Sequence, residues 1–558
     1  MVKKIFKLLN REISGLHEAA YLLGVFALFS HILALLRDRS LAHFFGAGET
    51  LDVYYASFRI PDFIFITVAS IVSISVLIPF LADKAQKNET EIQNFINSVF
   101  TTFFLFIVVV SGIVFFFVPF LIKNIFSGFP VEALNETISL TRILLLSPIF
   151  LGLSNLFASI VQVKKKFLVY AISPLLYNAG IIFGIFFFYP IFGLKGLALG
   201  VVLGALLHFM IQIPVVKKIG LLPKVSLKIN FNDIKKVVLL SLPRTLTMSA
   251  NQLAFFFLVG FASTMGIGAI SVFNLSFNLQ SVPLSIIGVS YSVAAFPTLA
   301  KLFSSGEEEK FLKQMASATR HIIFWSLPAM VLFVVLRAQI VRTILGTGEF
   351  DWSATRLTAA CLALFVFSIT AQSLVLLFVR GYYAMGNTRK PLFVNVFSST
   401  FIVGFAVLLN WAFTKYDAFR YFIESIFRIE NVGGAVVLML ALSYSLGVII
   451  NALVLIFIFQ KDFKKFSFSI STTFWHSLFS SLIMGFVAYK LLDVFALFLD
   501  TKTLLGIFLQ GLFPGLIGLV AGIFVLWLLG SRELREIGGA LNNKIWKNRV
   551  IIPEKREL

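Results

Sequence analysis

Cysteine occurs once in the 558 residues, as Cys361. This excludes an intrachain disulfide, a four-cysteine zinc site and an iron–sulfur cluster held by the chain's own thiolates. Charge is also scarce, at 13% of residues against roughly a quarter in a soluble domain. Acids are scarcer still, 27 against 47 lysines and arginines. The six histidines are isolated from one another, and neither a GxxxxGK[ST] phosphate loop nor an HExxH metal motif is present. GIGAIS at Gly266 resembles half of a dinucleotide fingerprint but follows an apolar span where the fingerprint needs a strand. No enzyme activity, no bound cofactor and no nucleotide hydrolysis are therefore expected. The formal charge of +20 is scattered over short loops and forms no basic domain, so nucleic acid is not an expected partner. The lysine-bearing N-terminus has no short apolar core followed by a small-residue cleavage site, and reads as an uncleaved cytoplasmic lead-in.

What the chain has in excess is apolar sequence, 58% of residues, with 66 phenylalanines. Windows of about 20 apolar residues, the length that crosses the hydrocarbon core as a helix, can be placed about fourteen times. The fold class is thus an all-α membrane protein with about 14 transmembrane helices. An even number of spans puts both termini on one side. That side collects 32 of the 47 cations and the opposite side 13, with Arg142 and Arg244 inside spans. The asymmetry predicts cytoplasmic termini.

A repeat is visible six spans apart. Span 2 ends in Ile78-Pro79-Phe80-Leu81-Ala82 and span 8 in Phe296-Pro297-Thr298-Leu299-Ala300; Lys164-Lys165-Lys166 after span 4 matches Thr388-Arg389-Lys390 after span 10. An even offset predicts two lobes of like orientation about an axis along the membrane normal, with a site between them. The expected organisation is a first lobe over 1–215 and a second over 237–460, each of six helices. A cytoplasmic amphipathic linker over 216–236 joins them, either lying on the membrane surface or serving as a topology-setting loop. Two extra helices occupy 461–530, and a charged tail 531–558 starts as a short interfacial helix and ends disordered.

Charge beside hydrocarbon marks the candidate site, because such charge persists only with partners, water or a ligand. The stretch FSHILALLRDRSLAHFFGAGETLDVYYASFR (29–59) carries Arg37, Asp38, Arg39, Asp52 and Arg59 around a Gly46/Gly48 turn. Arg37 and Arg59 suit a phosphate, which guanidinium grips bidentately with a charge it never loses. The alternative is that both snorkel to headgroups and pair with Asp38, Asp52 or Asp62. Asp52 has the wrong sign for phosphate and reads as a pairing or gating partner. Arg244, just after Pro243 in span 7, is the second lobe's candidate cation, or else a helix-end cation among headgroups. Asn251, Asn274, Asn278 and Gln280 add polar groups to spans 7 and 8, for a cavity or for interhelical hydrogen bonds.

The order RD, FGAG, Asp, aromatic run and basic-x-Pro resembles the start of the MurJ/MviN family of bacterial lipid II flippases, in the exporter superfamily of drug and polysaccharide transporters. SVPLSIIGVSYSVAAFPTLAKL (281–302), GTGEFDWSAT (346–355) and LLFVRGYYAMGNTRKP (376–391) also resemble its segments in order. The resemblance implies two six-helix lobes around a cavity with alternating access, spans 13 and 14 forming a lipid-tail groove, and a plasma (inner) membrane location. The implied partners are a polyprenyl-pyrophosphate glycolipid, membrane lipids and cell-wall synthesis proteins. Coupling to the membrane potential or a monovalent cation would be the energy source, with no ligand residues assigned. By the same resemblance Arg37 and Asp52 fall on important positions and Arg59 on a usually basic one. His31, Phe65 and Asn278 stand where these flippases typically carry arginine. Rival readings are a flippase for another polyprenyl-linked oligosaccharide, of capsule or O-antigen type, and a non-transporting membrane scaffold.

The topology yields the first prediction. With Cys361 replaced, Lys165→Cys should be shielded from an impermeant thiol reagent in whole cells and Glu132→Cys should react. The reverse labelling pattern inverts the orientation.

Overall fold

Continuous apolar windows leave the backbone no water to bond with, so they must satisfy their own N–H and C=O groups, and helices are the result. The computed structural model describes residues 16–69, 71, 77, 78, 80, 81, 84, 89–226, 228–464, 466 and 471–545. Among them every regular element is a helix. Eleven helices are long and apolar enough to cross a membrane, and the broken pair Trp352–Val366 and Ile369–Ala384 makes up to twelve. These stand at the positions of spans 3 to 14. The count of fourteen is not confirmed. Helix α1 (Leu16–Phe45) stands at the place of span 1 and runs on through Arg37-Asp38-Arg39 to Phe45. Span 2 leaves the described residues after Ala69. The lead-in 1–15, Pro79 and Ala82 of the repeat, and the tail beyond 545 lie outside the described residues.

Helix α2 (Glu49–Ser57) and helix α3 (Arg59–Ile64) precede a π-helical turn at Phe65–Ala69, so Asp52 and Arg59 stand within helical structure and not in a connecting loop. Span 8 has its own π-helical turn at Ser285–Val289. The two turns occupy like places in spans six apart, which fits the repeat. π turns leave backbone groups free to reorganise and recur at functional sites.

The residues group into two compact units. One comprises 1–282, 344–365 and 387–451, the other 283–343, 366–386 and 452–558. In the first, α4 (Glu89–Ile125) turns Leu105, Val109, Ile113, Phe116 and Phe120 outward at helical spacing, a face suited to lipid. Helices α5 (Val131–Leu144) and α6 (Leu146–Val163) form span 4. Helices α7 (Phe167–Phe183) and α8 (Leu194–Met210) pack through a glycine seam: a Cβ on Gly184 would lie 2.5 Å from Gly200 Cα, and Gly180 faces Gly204 as closely. Small residues four apart let two backbones touch where lipid offers no hydrophobic drive for association.

Over its middle the linker is an extended strap. Gln93 Nε2 donates to the Leu222 carbonyl at 3.0 Å, Asn97 Oδ1 accepts from Lys224 N at 2.8 Å, and Thr101 Oγ1 accepts from Ser226 N at 3.0 Å. The strap is thus stitched along α4. It ends at Asn230, whose side chain caps α9 (Phe231–Ala262) by accepting from the backbone of Asn232 and Asp233. Lys84 pairs with Asp233 at 3.0 Å.

In the second unit, helices Ser471–Phe498 and Leu504–Leu528 pack closely, with Ser480 Oγ donating to the Gly522 carbonyl at 2.7 Å. The tail helix expected after 531 is present as Arg532–Ile545. Its Glu533, 3% exposed, accepts from Thr473 Oγ1 at 2.7 Å and from Ser531 Oγ, with Arg320 at 3.5 Å. This carboxylate anchors the helix to the bundle.

The glycine seam yields the second prediction. Gly200→Val inserts a branched side chain where Gly184 backbone already stands, and should cost about 1–3 kcal/mol. A lower melting temperature of the purified protein checks it; an unchanged one would show that the seam is loose.

Candidate functional site

The site lies in the first unit, where first-lobe residues meet α10 (Ala269–Leu284) of the second lobe. The first turn of any helix has backbone N–H groups without intrahelical partners and a partial positive charge. At α10 the missing acceptor comes from elsewhere in the chain. Asp52 Oδ2 accepts from Gly268 N at 2.6 Å, and Oδ1 from Ser271 N at 2.7 Å and Ser271 Oγ at 2.6 Å. Asp52 is 2% exposed. A first-lobe carboxylate therefore caps a second-lobe helix. Gly268 is needed there twice over: its φ is +84°, and a Cβ would run into the Ala47 carbonyl oxygen.

The same end carries a second latch. Glu349 N donates to the His43 carbonyl at 3.0 Å, His43 Nδ1 lies 3.0 Å from Thr347 Oγ1, and Arg39 Nη1 donates to the Ile344 carbonyl at 3.2 Å. A Cβ on Gly46 would come to 2.5 Å from the Glu349 carbonyl oxygen. The FGAG turn, the GIGAIS segment and GTGEF are thus three backbone surfaces pressed together, and their glycines permit that approach.

Below the latch, α10 presents Asn274 and Asn278, one turn apart on one face. Arg59, 7% exposed, donates from Nη2 to Asn274 Oδ1 at 2.8 Å and from Nε to the Tyr55 carbonyl at 3.2 Å, and lies 5.2 Å from the Phe255 ring centroid. Arg37 donates from Nε and Nη2 to Asp38 Oδ1 at 2.9 and 2.8 Å, and from Nη1 to Asn178 Oδ1 at 3.1 Å. Asp38, 2% exposed, takes its other bond from Asn278 Nδ2 at 3.1 Å. Four of the five sequence candidates, Arg37, Asp52, Arg59 and Asn278, therefore gather along α10. Arg37 makes the Asp38 pair that the snorkelling alternative expected, with Asn178 as a further neutral partner, whereas buried Arg59 has the neutral amide of Asn274, which satisfies a donor without cancelling the charge.

Arg244 is not brought into this cluster. It is half-buried in α9, roughly 27 Å of helix before Ala262 at 1.5 Å per residue. Of the positions where arginine was expected by resemblance, His31 is partly exposed on α1, and Phe65 lines a gap with Asp62, Leu144 and Pro148 inside the first lobe. Asn251 accepts from Ser399 Oγ at 3.3 Å, the interhelical alternative. Sequence reasoning missed Asn178 and Ser271 as partners, and did not join GIGAIS and GTGEF to the site. Their glycines beside polar residues at span ends were the available signal.

A family model described as Lipid II flippase MurJ matches residues 41–509. The probable lipid II flippase MurJ of Buchnera aphidicola is 29% identical over 382 residues, covering 67% of this chain and 74% of the relative. The lipid II flippase MurJ of Burkholderia cenocepacia is 24% identical over 391 residues, covering 68% and 76%. Among solved structures, "Lipid II flippase MurJ, inward closed conformation" superposes with a TM-score of 0.71 at 25% identity, covering 93% of this chain and 99% of that one. An inward-facing multidrug resistance MATE family transporter of the MOP superfamily gives 0.61 at 17% identity, covering 78% and 95%, a likeness of fold.

The latch yields the third prediction. Asp52→Ala strands the α10 N–H groups and removes charge-assisted bonds worth roughly 1.5–3 kcal/mol each. In a Cys361-free background, a short thiol cross-linker should join His43→Cys to Thr347→Cys readily, and Asp52→Ala should lower that yield severalfold. Equal yields with and without Asp52 would mean that it does not hold the latch.

Proposed function

The chain belongs to the lipid II flippase MurJ family, and on that premise we propose that it carries lipid II, the undecaprenyl-pyrophosphate-linked peptidoglycan precursor, from the inner to the outer leaflet of the bacterial inner membrane. The observation that supports this reading beyond family membership is the pair of permanent cations at the seam between lobes, each with a neutral amide among its partners. Arg59 has Asn274 and Arg37 has Asn178 as a partner that a pyrophosphate can replace with a gain in charge complementarity. Asp38 divides its oxygens between Arg37 and Asn278, so a phosphate competing for Arg37 leaves Asp38 one partner from the second lobe.

Transport then proceeds by alternating access. With both termini cytoplasmic, as the cation asymmetry indicates, the Asp52 latch closes the outer side while the headgroup enters from the cytoplasm. Headgroup capture at Arg37 and Arg59 draws on the bonds that hold α10. The lobes rock, the capping of α10 by Asp52 is broken, and the headgroup leaves on the other side while the tail stays in lipid. Arg244, nearer the cytoplasmic start of α9, serves as the second lobe's cation close to the entrance, and the last two spans guide the tail. The driving force is the membrane potential or a monovalent cation. Cell-wall synthesis proteins that consume the product are the natural neighbours.

The test has two arms. The gene should rescue a strain depleted of its lipid II flippase, whereas Arg37→Ala and Arg59→Ala should fail to rescue despite normal insertion, with lysine replacements partly restoring function. The purified protein should also bind lipid II more tightly than an uncharged polyprenol, by roughly tenfold or more per lost guanidinium contact. Rescue by both alanine variants, or equal binding of the two lipids, removes the assignment of cargo to these arginines.

A further inference from the structure

The sequence left one intramembrane cation unassigned. Arg142 lies in α5, about 17 Å along the helix from Val131 at 1.5 Å per residue. A cation at such depth in a membrane helix marks a functional site by default and calls for a partner. The structure gives it no carboxylate among the described residues. Its guanidinium lies 4.8 Å from the Phe115 ring centroid, and Nε makes a long 3.4 Å contact to the Phe115 carbonyl.

Arg142 lines an open groove of about 900 Å³ between α4, span 4 and α8, at the large end of the roughly 300–1,000 Å³ range of small-molecule sites. Lys195, exposed at the start of α8, is the second cation of this groove, and Asn135 and Ser139 are its neutral polar groups. The remaining wall is mostly apolar. Ser111 projects from α4 into the same groove; it is 5% exposed, and its Oγ has no hydrogen-bond partner among the described residues. Glu132 and Glu136 share α5 but do not line the groove. Ring contacts of Phe44 with Phe186 and of Phe45 with Tyr189 put the Lys195 mouth at the latch end of the first lobe.

We propose that this groove is a binding site for an anionic diacyl phospholipid of the leaflet at the latch end, its phosphate held by Arg142 and Lys195 and an acyl chain lying along the apolar wall. Two cations without a carboxylate fix the sign of the headgroup. An unsatisfied hydroxyl beside them suits a phosphate or ester oxygen. Apolar walls opening on the lipid-facing side of α4 fix the occupant as a lipid. The site is separate from the Arg37–Arg59 cluster and does not depend on the identity of the cargo.

Native mass spectrometry of the full chain in neutral detergent tests it, with phosphatidylglycerol, phosphatidylethanolamine and inorganic phosphate as probes. Phosphatidylglycerol should be retained roughly tenfold better than phosphatidylethanolamine, as for one charge-assisted contact, and millimolar phosphate should not displace it. Arg142→Gln with Lys195→Gln should bring the two lipids to parity at an unchanged melting temperature. Leu199→Trp, which fills the groove and leaves both cations, should also abolish retention, and decides the matter if the double variant is unstable. Parity in the native protein, undiminished preference in both variants, or displacement by phosphate alone overturns the proposal.

Discussion

The structure depends on a carboxylate from one lobe serving as the cap of a helix in the other. Helix N-termini normally find their acceptors within a few residues. Here α10 has Asp52 for that purpose, from more than two hundred residues earlier in the chain. Forming the contact completes α10, and breaking it leaves buried N–H groups without acceptors. Secondary structure and the meeting of the lobes are thus parts of one equilibrium. An interface built this way has two discrete conditions and little between them, which suits a gate better than an apolar contact that could slide.

The arginines follow a related logic. Buried guanidinium paired with carboxylate is neutralised and costly to separate. Arg59 paired with Asn274 is hydrogen-bonded yet still charged. The Asn274 amide on α10 therefore keeps Arg59 in place while leaving it able to exchange partners. Asn278 illustrates the difference: an arginine there would take Asp38 into an ion pair of its own, whereas an amide donates one hydrogen bond and leaves Asp38 to Arg37.

Much of this was legible in the sequence because hydrocarbon penalises charge. Arg37, Asp52 and Arg59 stood out since nothing apolar would tolerate them unpartnered, and the repeat in span endings set out the two lobes. What was not legible depended on contacts between distant segments. Asp52 and Arg59 stand within helices because distant partners, Gly268 and Ser271 for one and Asn274 for the other, satisfy them there. The linker's spaced apolar residues left a helix, a strap or a loop open, and the bonds from Asn97, Ser98 and Thr101 on α4 to its backbone, which make it a strap, join segments more than a hundred residues apart. GIGAIS looked like a weak nucleotide motif because only the fold shows that its glycines meet the FGAG turn.

The stitched strap has a mechanical consequence. Because its bonds to α4 hold Asn230 against the first lobe, α9 starts from a fixed point. Its 32 residues give an arm of about 48 Å at 1.5 Å per residue, so a tilt of about 10° at Asn230 moves the far end by about 8 Å. Hydrogen bonds of under 3 Å, such as those of Asp52, are lost within a fraction of that travel. A tilt of that size at the strap would therefore part the Asp52 bonds at the opposite end of the helix.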